Sequence, residues 1–392
     1  MRNVAPLVLA IVGCARTQST NDVTRRTVGD TTFLTSPADG VDGAMRLQEI
    51  LRIDATKLDL GRIDAGVFGA NGTIWLYDSH GKNGETLHIL DSLGAPVGIA
   101  GRTGSGPGEF RDPVRLFRLS DGSILVKEMS TIRAVRFAGD GRVLATIELP
   151  VVVATGWVVT PDTVGGWFIT ASFEEHTPTR VGRFGWLHFN RDGSVVDTVF
   201  PPAALFEEPT PDGIAPGRVR TVGRDRSVLT TVPGPSCLTR IALDRTVRVS
   251  EWRGEAPAYL DQERRDMQAV EDKMNELLGK PKTPLPARKE PVHRILTDGT
   301  GFVWAQLATV GERIPDDELP KAPSSIPPIK WHEHDRWAAF DRDGVLRFTV
   351  ETSSGTTILD RAGHRLLGTV VDTDGSQRIV VWNAVPSSQG KP

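Results

Sequence analysis

The stretches NGTIWLY (residues 71–77) and LHILDSLG (residues 87–94) decide the fold of this chain. The first is a glycine turn followed by a run that is apolar at every position, which indicates a strand covered on both faces. The second is an alternating strand that ends in a large hydrophobic residue and leads into an Asp- and Gly-containing turn. Together they predict two neighbouring antiparallel strands, of which the first is deeply buried.

Both patterns recur along the chain, about every 50 residues. The doubly apolar runs lie at residues 74–77, 124–126, 167–169, 228–229, 302–304 and 366–367. The alternating strands lie at residues 87–90, 134–137, 186–189, 240–243, 337–340 and 379–382. One wider gap, between residues 243 and 340, holds one repeat and inserted residues. Short strands in hairpins at this period predict an all-β chain, a six-bladed β-propeller.

The two ends of the repeat region predict how the ring closes. The last alternating strand is followed by too few residues for another full strand, so its blade lacks an outer strand. An extra strand at residues 47–53 precedes the first full blade. We expect it to pair with the last blade, which removes two exposed strand edges.

Two segments resemble known propellers. GRTGSGPGEF (residues 101–110), leading to Pro113, resembles the loop between blades of NHL-repeat and related six-bladed β-propellers. Residues 365–382 are similar to the last blade of bacterial six-bladed propeller lipoproteins of unassigned function. The resemblance implies a propeller over residues 46–386, followed by a tail at residues 387–392. It specifies the fold and not the function, since propellers include both binding proteins and enzymes.

The N-terminus predicts an exported, lipid-anchored protein. Residues 1–13 have a charged start and a short apolar run, as in a secretory signal peptide. The run ends at Cys14 and resembles the bacterial lipobox, which implies that Cys14 carries lipid; the alternative is an ordinary cleavable signal peptide. Residues 14–45 are polar and predict a flexible tether. The residue after the cysteine is not Asp, which by resemblance indicates the outer membrane, on its periplasmic side.

Two insertions interrupt the repeats. Residues 257–280 predict a helix with an apolar stripe at Leu260, Met267, Val270, Met274 and Leu277. This helix either lies across one mouth of the ring or acts as a lid or docking element. Residues 311–330 are rich in proline and predict a structured surface loop.

Several residues were candidates for chemistry. His332 and His334 alternate on a strand and could bind a divalent ion, although a solvated polar strand explains them as well. The loop at residues 104–108 lacks the GK[ST] ending of a phosphate-binding loop, and its Glu109 and Arg111 are expected to form contacts between blades. Cys237 is expected to be a small buried residue.

Three further aromatic or acidic segments are expected to be structural. Trp157 and Trp167 are predicted to lie in the core of the blades. Residues 174–176 (Glu-Glu-His) are predicted to lie in a surface loop. None of these segments matches a catalytic motif.

The composition limits the function. The net charge of -3 indicates no basic surface that would bind nucleic acid. The chain has two cysteines, and one of them is the predicted lipid site, so we expect no internal disulfide. No nucleophile elbow, zinc-helix motif or paired-cysteine metal site is present. We therefore expect a monomeric binding or scaffold module for an envelope protein or a saccharide, without a cofactor. The alternative is a metal-dependent enzyme of the gluconolactonase or lyase type, with Ca²⁺ or Zn²⁺ in the central funnel.

Overall fold

Strands dominate the computed structural model of this chain. The structure describes residues 23–81, 85–111, 114–128, 131–153, 158–173, 184–200, 220–231, 235–277, 279, 281–317, 319, 326–353, 355–372 and 375–387. None of the helices in these residues is long and apolar enough to cross a membrane.

The strands, in chain order, are β1 (Thr24–Val28), β2 (Thr31–Ser36), β3 (Ala44–Asp54), β4 (Ile63–Phe68), β5 (Ile74–Asp78), β6 (Thr86–Leu90), β7 (Pro96–Ala100), β8 (Val114–Arg118), β9 (Ile124–Glu128), β10 (Arg133–Phe137), β11 (Val143–Glu148), β12 (Val159–Pro161), β13 (Trp167–Ser172), β14 (Phe184–Phe189), β15 (Val195–Val199), β16 (Arg220–Val222), β17 (Val228–Thr230), β18 (Cys237–Ile241), β19 (Val247–Trp252), β20 (Val292–Thr297), β21 (Val303–Leu307), β22 (Gly311–Arg313), β23 (Trp331–Glu333), β24 (Arg336–Phe340), β25 (Leu346–Glu351), β26 (Thr356–Ala362), β27 (Arg365–Val371) and β28 (Gln377–Pro386). The α-helix α1 spans Asp261–Leu277, and short 3-10 helices span Ala55–Leu58, Ala70–Gly72 and Val151–Val153.

These strands form antiparallel sets of four. Three sheets are single sets, β4 to β7, β8 to β11 and β12 to β15. A six-stranded sheet joins β16 to β19 with β2 and β1, and an eight-stranded sheet has the order β20-β21-β24-β25-β3-β28-β27-β26. The predicted strand pairs fall on the two middle strands of each set, for example β5 and β6.

Burial explains why the middle strands were visible in the sequence. Every residue of β5 and of β9 is buried, because a neighbouring sheet covers each face. The turns after the alternating strands have the expected geometry. Gly94 has a φ of 84°, and Asp91 accepts hydrogen bonds from the backbone N–H groups of Leu93 and Ala95.

The first strands of the sets lie next to one another. β26 contacts β4, β4 contacts β8, β8 contacts β12, and β16 contacts β20. We call β4, β8, β12, β16, β20 and β26 the inner strands, and the space that they border the central space.

The extra N-terminal strand pairs as the sequence predicts. β3 runs antiparallel to β28 from Asp54, opposite Arg378, to Met45, opposite Pro386. It also makes a short parallel contact with β25, which joins two sets of strands into the eight-stranded sheet.

The prediction of a flexible tether over residues 14–45 is wrong for the part that the structure describes. β1 and β2 form a hairpin, and β2 pairs in parallel with β19 along its whole length. The pairing satisfies the backbone groups at the edge of β19 and buries Leu34 to 7% exposure. The β-branched and aromatic residues of TTFLTS (residues 31–36) were the overlooked signal.

A chain without β1 and β2 is expected to fold with lower stability. Deleting residues 1–42 exposes the edge of β19 and removes the buried Leu34, which costs about 2 to 3 kcal/mol. Urea unfolding measures the loss. An unchanged free energy of unfolding would show that the hairpin adds nothing to the sheet.

The two insertions differ from their predicted forms, because polar residues form the buried part of the helix. α1 lies within the segment predicted to be helical, but its buried residues are Glu263 and Asn275, whereas Met274 and Leu260 of the predicted apolar stripe are exposed. In the predicted loop at residues 311–330, β22 pairs with β23 just beyond the segment.

Candidate anion-binding site

The residues considered in the sequence lie in different places. Cys14 and residues 174–176, as well as Trp157, fall outside the described residues. Cys237 is buried in β18. Trp167 stacks on Phe189 in the core, with their ring centroids 4.1 Å apart, as expected.

The glycine-rich loop is held by its own glutamate. Glu109 accepts hydrogen bonds from Arg102 (2.8 Å) and from the backbone N–H of Gly106 (2.7 Å), so the prediction that it makes contacts between blades is wrong. The contacts to the next set of strands come instead from the loop backbone, where Gly108 donates to Thr146 of β11.

His332 and His334 lie on and just after β23 and share one carboxylate. Nε2 of His334 is 2.7 Å from Glu312, and Nε2 of His332 is 3.4 Å from the same side chain. In the described part of the chain, no group of three or more His, Cys, Asp or Glu residues is arranged to hold a metal ion.

Three arginines lie on the inner strands and interact with one another. Arg115 lies on β8, Arg294 on β20 and Arg361 on β26. Burial lowers the pKa of Arg294, and the charge of Arg115 lowers it further. β8 and β20 belong to different sheets, so this interaction links two separate sets of strands.

Arg361 is the most buried of the three. Burial lowers its pKa to about 9, and the charge of Arg294 contributes. Its guanidinium carbon lies 3.4 Å from the ring centroid of Trp337, and the residue is 6% exposed. Its Nε is buried and has no hydrogen-bond partner among the described residues. A buried donor without an acceptor is costly, so this atom points to a ligand or a water molecule.

Carboxylates also border this space, but protein donors already occupy them. Asp360 accepts from the backbone N–H of Phe68 on the neighbouring inner strand (2.8 Å), and burial raises its pKa to about 7. Asp335 accepts from Gln306 (2.6 Å). Asp298 accepts from Trp304 (3.0 Å) and from several backbone N–H groups.

Most of the polar groups that lack a partner in the central space are therefore hydrogen-bond donors. Arg115 and Arg294 are exposed to this space, and neither makes a hydrogen bond or an ion pair with another described residue. Guanidinium groups bind carboxylate or phosphate through two parallel hydrogen bonds. Calcium and zinc require several carboxylate, carbonyl or imidazole ligands around one point, and the carboxylates described here form no such group.

The sequence analysis missed this site because it identified only the middle strands. β8 and β20, which carry Arg115 and Arg294, are partly exposed, and RLFR (residues 115–118) has the pattern of an ordinary amphipathic strand. The available local signal is an arginine a few positions before an Asp-Gly turn: Arg115 lies six positions before Asp121, and Arg294 lies four positions before Asp298.

Comparison with known proteins supports the fold. No family model matches the chain, and no curated protein matches it. A solved structure of a member of the DUF4221 family from Bacteroides vulgatus is similar, with a TM-score of 0.50 and 11% identity, over 86% of this chain and 97% of that one. A protein from Bacteroides fragilis that is inferred to be exported has the same TM-score and identity, over 91% of this chain and 100% of that one.

Virginiamycin B lyase from Staphylococcus aureus is a more distant structural neighbour. Its TM-score is 0.42 at 15% identity, over 86% of this chain and 99% of that one. The sets of four antiparallel strands and the contacts among their first strands identify the fold as a β-propeller.

Proposed function

We propose that this protein is a monomeric binding module, a six-bladed β-propeller that captures an acidic ligand in its central space. In this arrangement the eight-stranded sheet supplies two blades and the six-stranded sheet supplies one. The contacts among the inner strands support a closed ring.

We infer the class of ligand from three arginines. Their side chains donate no hydrogen bond to an acceptor among the described residues. A ligand carboxylate or phosphate supplies the acceptors that Arg115, Arg294 and Arg361 lack. It also relieves the repulsion among them, because each arginine then faces an opposite charge.

Calorimetric titration of the full chain in detergent tests this function. The probes are galacturonate and inorganic phosphate, with glucose as a neutral control. We expect saturable binding of at least one anion and none of glucose. If neither anion binds at millimolar concentrations, the proposed function is wrong.

Binding is expected to be stronger at pH 6 than at pH 8. Asp360 is charged above its pKa of about 7 and neutral below it, and it lies beside Arg361 and Asp298. Removing its negative charge strengthens the attraction of the site for an anion by roughly three- to tenfold, which corresponds to about 1 kcal/mol. Titration of galacturonate at both pH values measures the change, since this ligand is ionised at both. Asp360→Asn should abolish the difference; an equal pH dependence in that variant would contradict the assignment.

We further propose that the protein is lipid-anchored at Cys14 in the cell envelope, at the outer membrane facing the periplasm. The lipobox-like end of the N-terminal apolar run supports this location, as does the structural similarity to a protein inferred to be exported.

Cys14→Ser is expected to move the protein from the membrane fraction to the soluble fraction. Without the thiol the lipid cannot be attached, and one or two acyl chains supply the membrane affinity. Fractionation followed by immunoblotting checks the result, with Cys237→Ser as the matched control. A Cys14→Ser protein that stays in the membrane fraction would disprove the anchor.

A further inference from the structure

The first strand of the chain forms an open edge of the six-stranded sheet. β1 is the outermost strand in the order β1-β2-β19-β18-β17-β16, and β2 is its one hydrogen-bonded neighbour among the described strands. All five residues of β1 are exposed. In an antiparallel pair, every second residue of a strand directs its backbone N–H and C=O groups away from the partner. The outer side of β1 therefore offers backbone groups with which another extended chain can pair.

Two adjacent arginines lie in this edge strand, on opposite faces of the sheet. Arg25 is opposite Leu34 of β2, and Arg26 is opposite Phe33. Successive side chains of a strand point to opposite faces, and side chains directly opposite each other share a face. Leu34 is 7% exposed, so Arg25 lies on the face that packs against the molecule, and Arg26 lies on the outer face.

Neither arginine is neutralised by a carboxylate of the described residues. The side chains of Arg25 and Arg26 form no ion pair and no hydrogen bond with this part of the chain. The guanidinium carbon of Arg26 lies 4.2 Å from the ring centroid of Phe33, which holds the charge beside the edge on the outer face. Each face of β1 therefore presents one positive charge to an incoming chain.

The other outer strands of the described sheets lack this combination. β7 begins with Pro96 and contains Gly98, and both residue types weaken strand pairing. β11 and β15 each contain a carboxylate, Glu148 and Asp197, that lies within 4.0 Å of an arginine of a neighbouring strand or turn. Among these four strands, β1 is the one that joins an open edge with two positive charges that have no acidic partner.

The two charges decide which partner fits this edge. A second copy of the chain does not fit, because antiparallel pairing of β1 with itself over all five residues places Arg26 opposite Arg26, and like charges directly opposite destabilise a sheet. A flat layer of anionic lipid headgroups meets one face of the strand at a time, whereas the arginines lie on both. An extended peptide segment with two adjacent acidic residues presents one carboxylate to each face, across from Arg25 and Arg26.

We propose that β1 is a docking strand for a second protein, which adds to the sheet an extended segment with two adjacent acidic residues. The backbone of that segment pairs with the outer side of β1, and its carboxylates contact Arg25 and Arg26, one on each face. Backbone pairing supplies general affinity, and the two charges select the partner. Docking here does not require the anion-binding site, because neither arginine of β1 belongs to the inner strands.

Two fluorescent hexapeptides test the docking strand by anisotropy titration into the full chain in detergent. Their sequences are Thr-Val-Glu-Glu-Val-Thr and Thr-Val-Lys-Lys-Val-Thr. We expect the glutamate peptide to bind at least about tenfold more tightly than the lysine peptide, because opposite charges across a strand pair attract and like charges repel. The double variant Arg25→Glu, Arg26→Glu should reverse this preference, and the control Arg142→Glu, in an exposed turn, should keep it. Absence of binding, equal affinities, or a preference that the double variant leaves unchanged would overturn the proposal.

Amide hydrogen exchange of the natural chain tests the strand pairing itself and needs no variant. With the glutamate peptide in excess, exchange at Thr24–Val28 should slow at least about fivefold, because the outward N–H groups become hydrogen-bonded. Binding without protection of these amides would place the peptide elsewhere and overturn the proposal. Thermal unfolding of the double variant checks that it folds, which is expected because both arginines are exposed.

Flotation with vesicles tests lipid binding as the alternative. The Cys14→Ser chain, which should lack the proposed anchor, is mixed with vesicles of phosphatidylcholine alone or with added phosphatidylglycerol. We expect no more binding to the anionic vesicles than to the neutral ones. Binding to the anionic vesicles that is lost when Arg25→Glu and Arg26→Glu are added would assign the arginines to the membrane surface and contradict the docking strand.

Discussion

Replacing Arg294 with glutamine is expected to weaken the binding of galacturonate by about 10- to 100-fold. A hydrogen bond to a charged group contributes about 1.5 to 3 kcal/mol, and glutamine is polar but shorter than arginine and carries no charge. Arg115→Gln should have a similar effect, since the two groups face the same space. Titration calorimetry of each variant measures the loss.

The matched control is Arg142→Gln. Arg142 is exposed, lies in the turn before β11, and is far along the chain from any inner strand. Its replacement should leave the affinity unchanged. Arg294 has no bonding partner to lose among the described residues, so Arg294→Gln should unfold at a temperature no lower than that of the natural chain. A large drop in that temperature with binding retained would assign Arg294 a structural role instead.

Replacing Lys289 with methionine is expected to destabilise the protein by about 3 to 5 kcal/mol. Lys289 is 1% exposed, lies 2.9 Å from Glu333, and also contacts the buried Glu263 of α1 at 2.5 Å. Its Nζ donates to the backbone oxygen of Thr309 as well (2.8 Å). Removing this lysine leaves the Glu263 charge buried and uncompensated.

The second carboxylate of this cluster shows how tightly it is held. Burial opposes the ionisation of Glu333. Hydrogen bonds from His293, Thr309 and Lys289 nevertheless outweigh burial and lower the pKa of Glu333 to about 2. Glu333 therefore stays ionised throughout the physiological range, and the cluster fastens the insertion that carries α1 to β20 and β23.

Urea unfolding of Lys289→Met tests the cluster, and the double variant Lys289→Met, Glu263→Gln is the control. The double variant no longer buries a charge at the helix, so it should recover part of the lost stability. If the single variant loses less than about 1 kcal/mol, the cluster does not anchor the insertion.

The sequence predicted the middle strands because burial on both faces leaves a continuous apolar run such as IWLY (residues 74–77). It also predicted the pairing of β3 with the last set of strands, since an unpaired strand edge at each chain end demands a partner. These features depend on local pattern and on the avoidance of free edges. The number of blades and the closure of the ring remain part of the proposal.

The features that the sequence did not reveal depend on residues far apart in the chain. The charge of Arg115 lowers the pKa of Arg294, although the two residues lie more than 150 positions apart in the chain. Lys289 joins α1 to β23, and its partners lie 26 and 44 positions away. The sequence of β2 predicts a flexible tether because the segment is short and polar at its ends. In the structure it pairs with β19, more than 200 residues later in the chain. No local pattern identifies such partners.

The most direct test of the arginine site is to locate a heavy anion in crystals of the protein. Crystals soaked in selenate are measured at the selenium edge, and the natural methionines do not contribute to the signal. We predict an anomalous peak within hydrogen-bond distance of the guanidinium groups of Arg115 and Arg294. The account is contradicted if these guanidinium groups are paired with protein carboxylates, or if selenate binds elsewhere and leaves the central space without a peak.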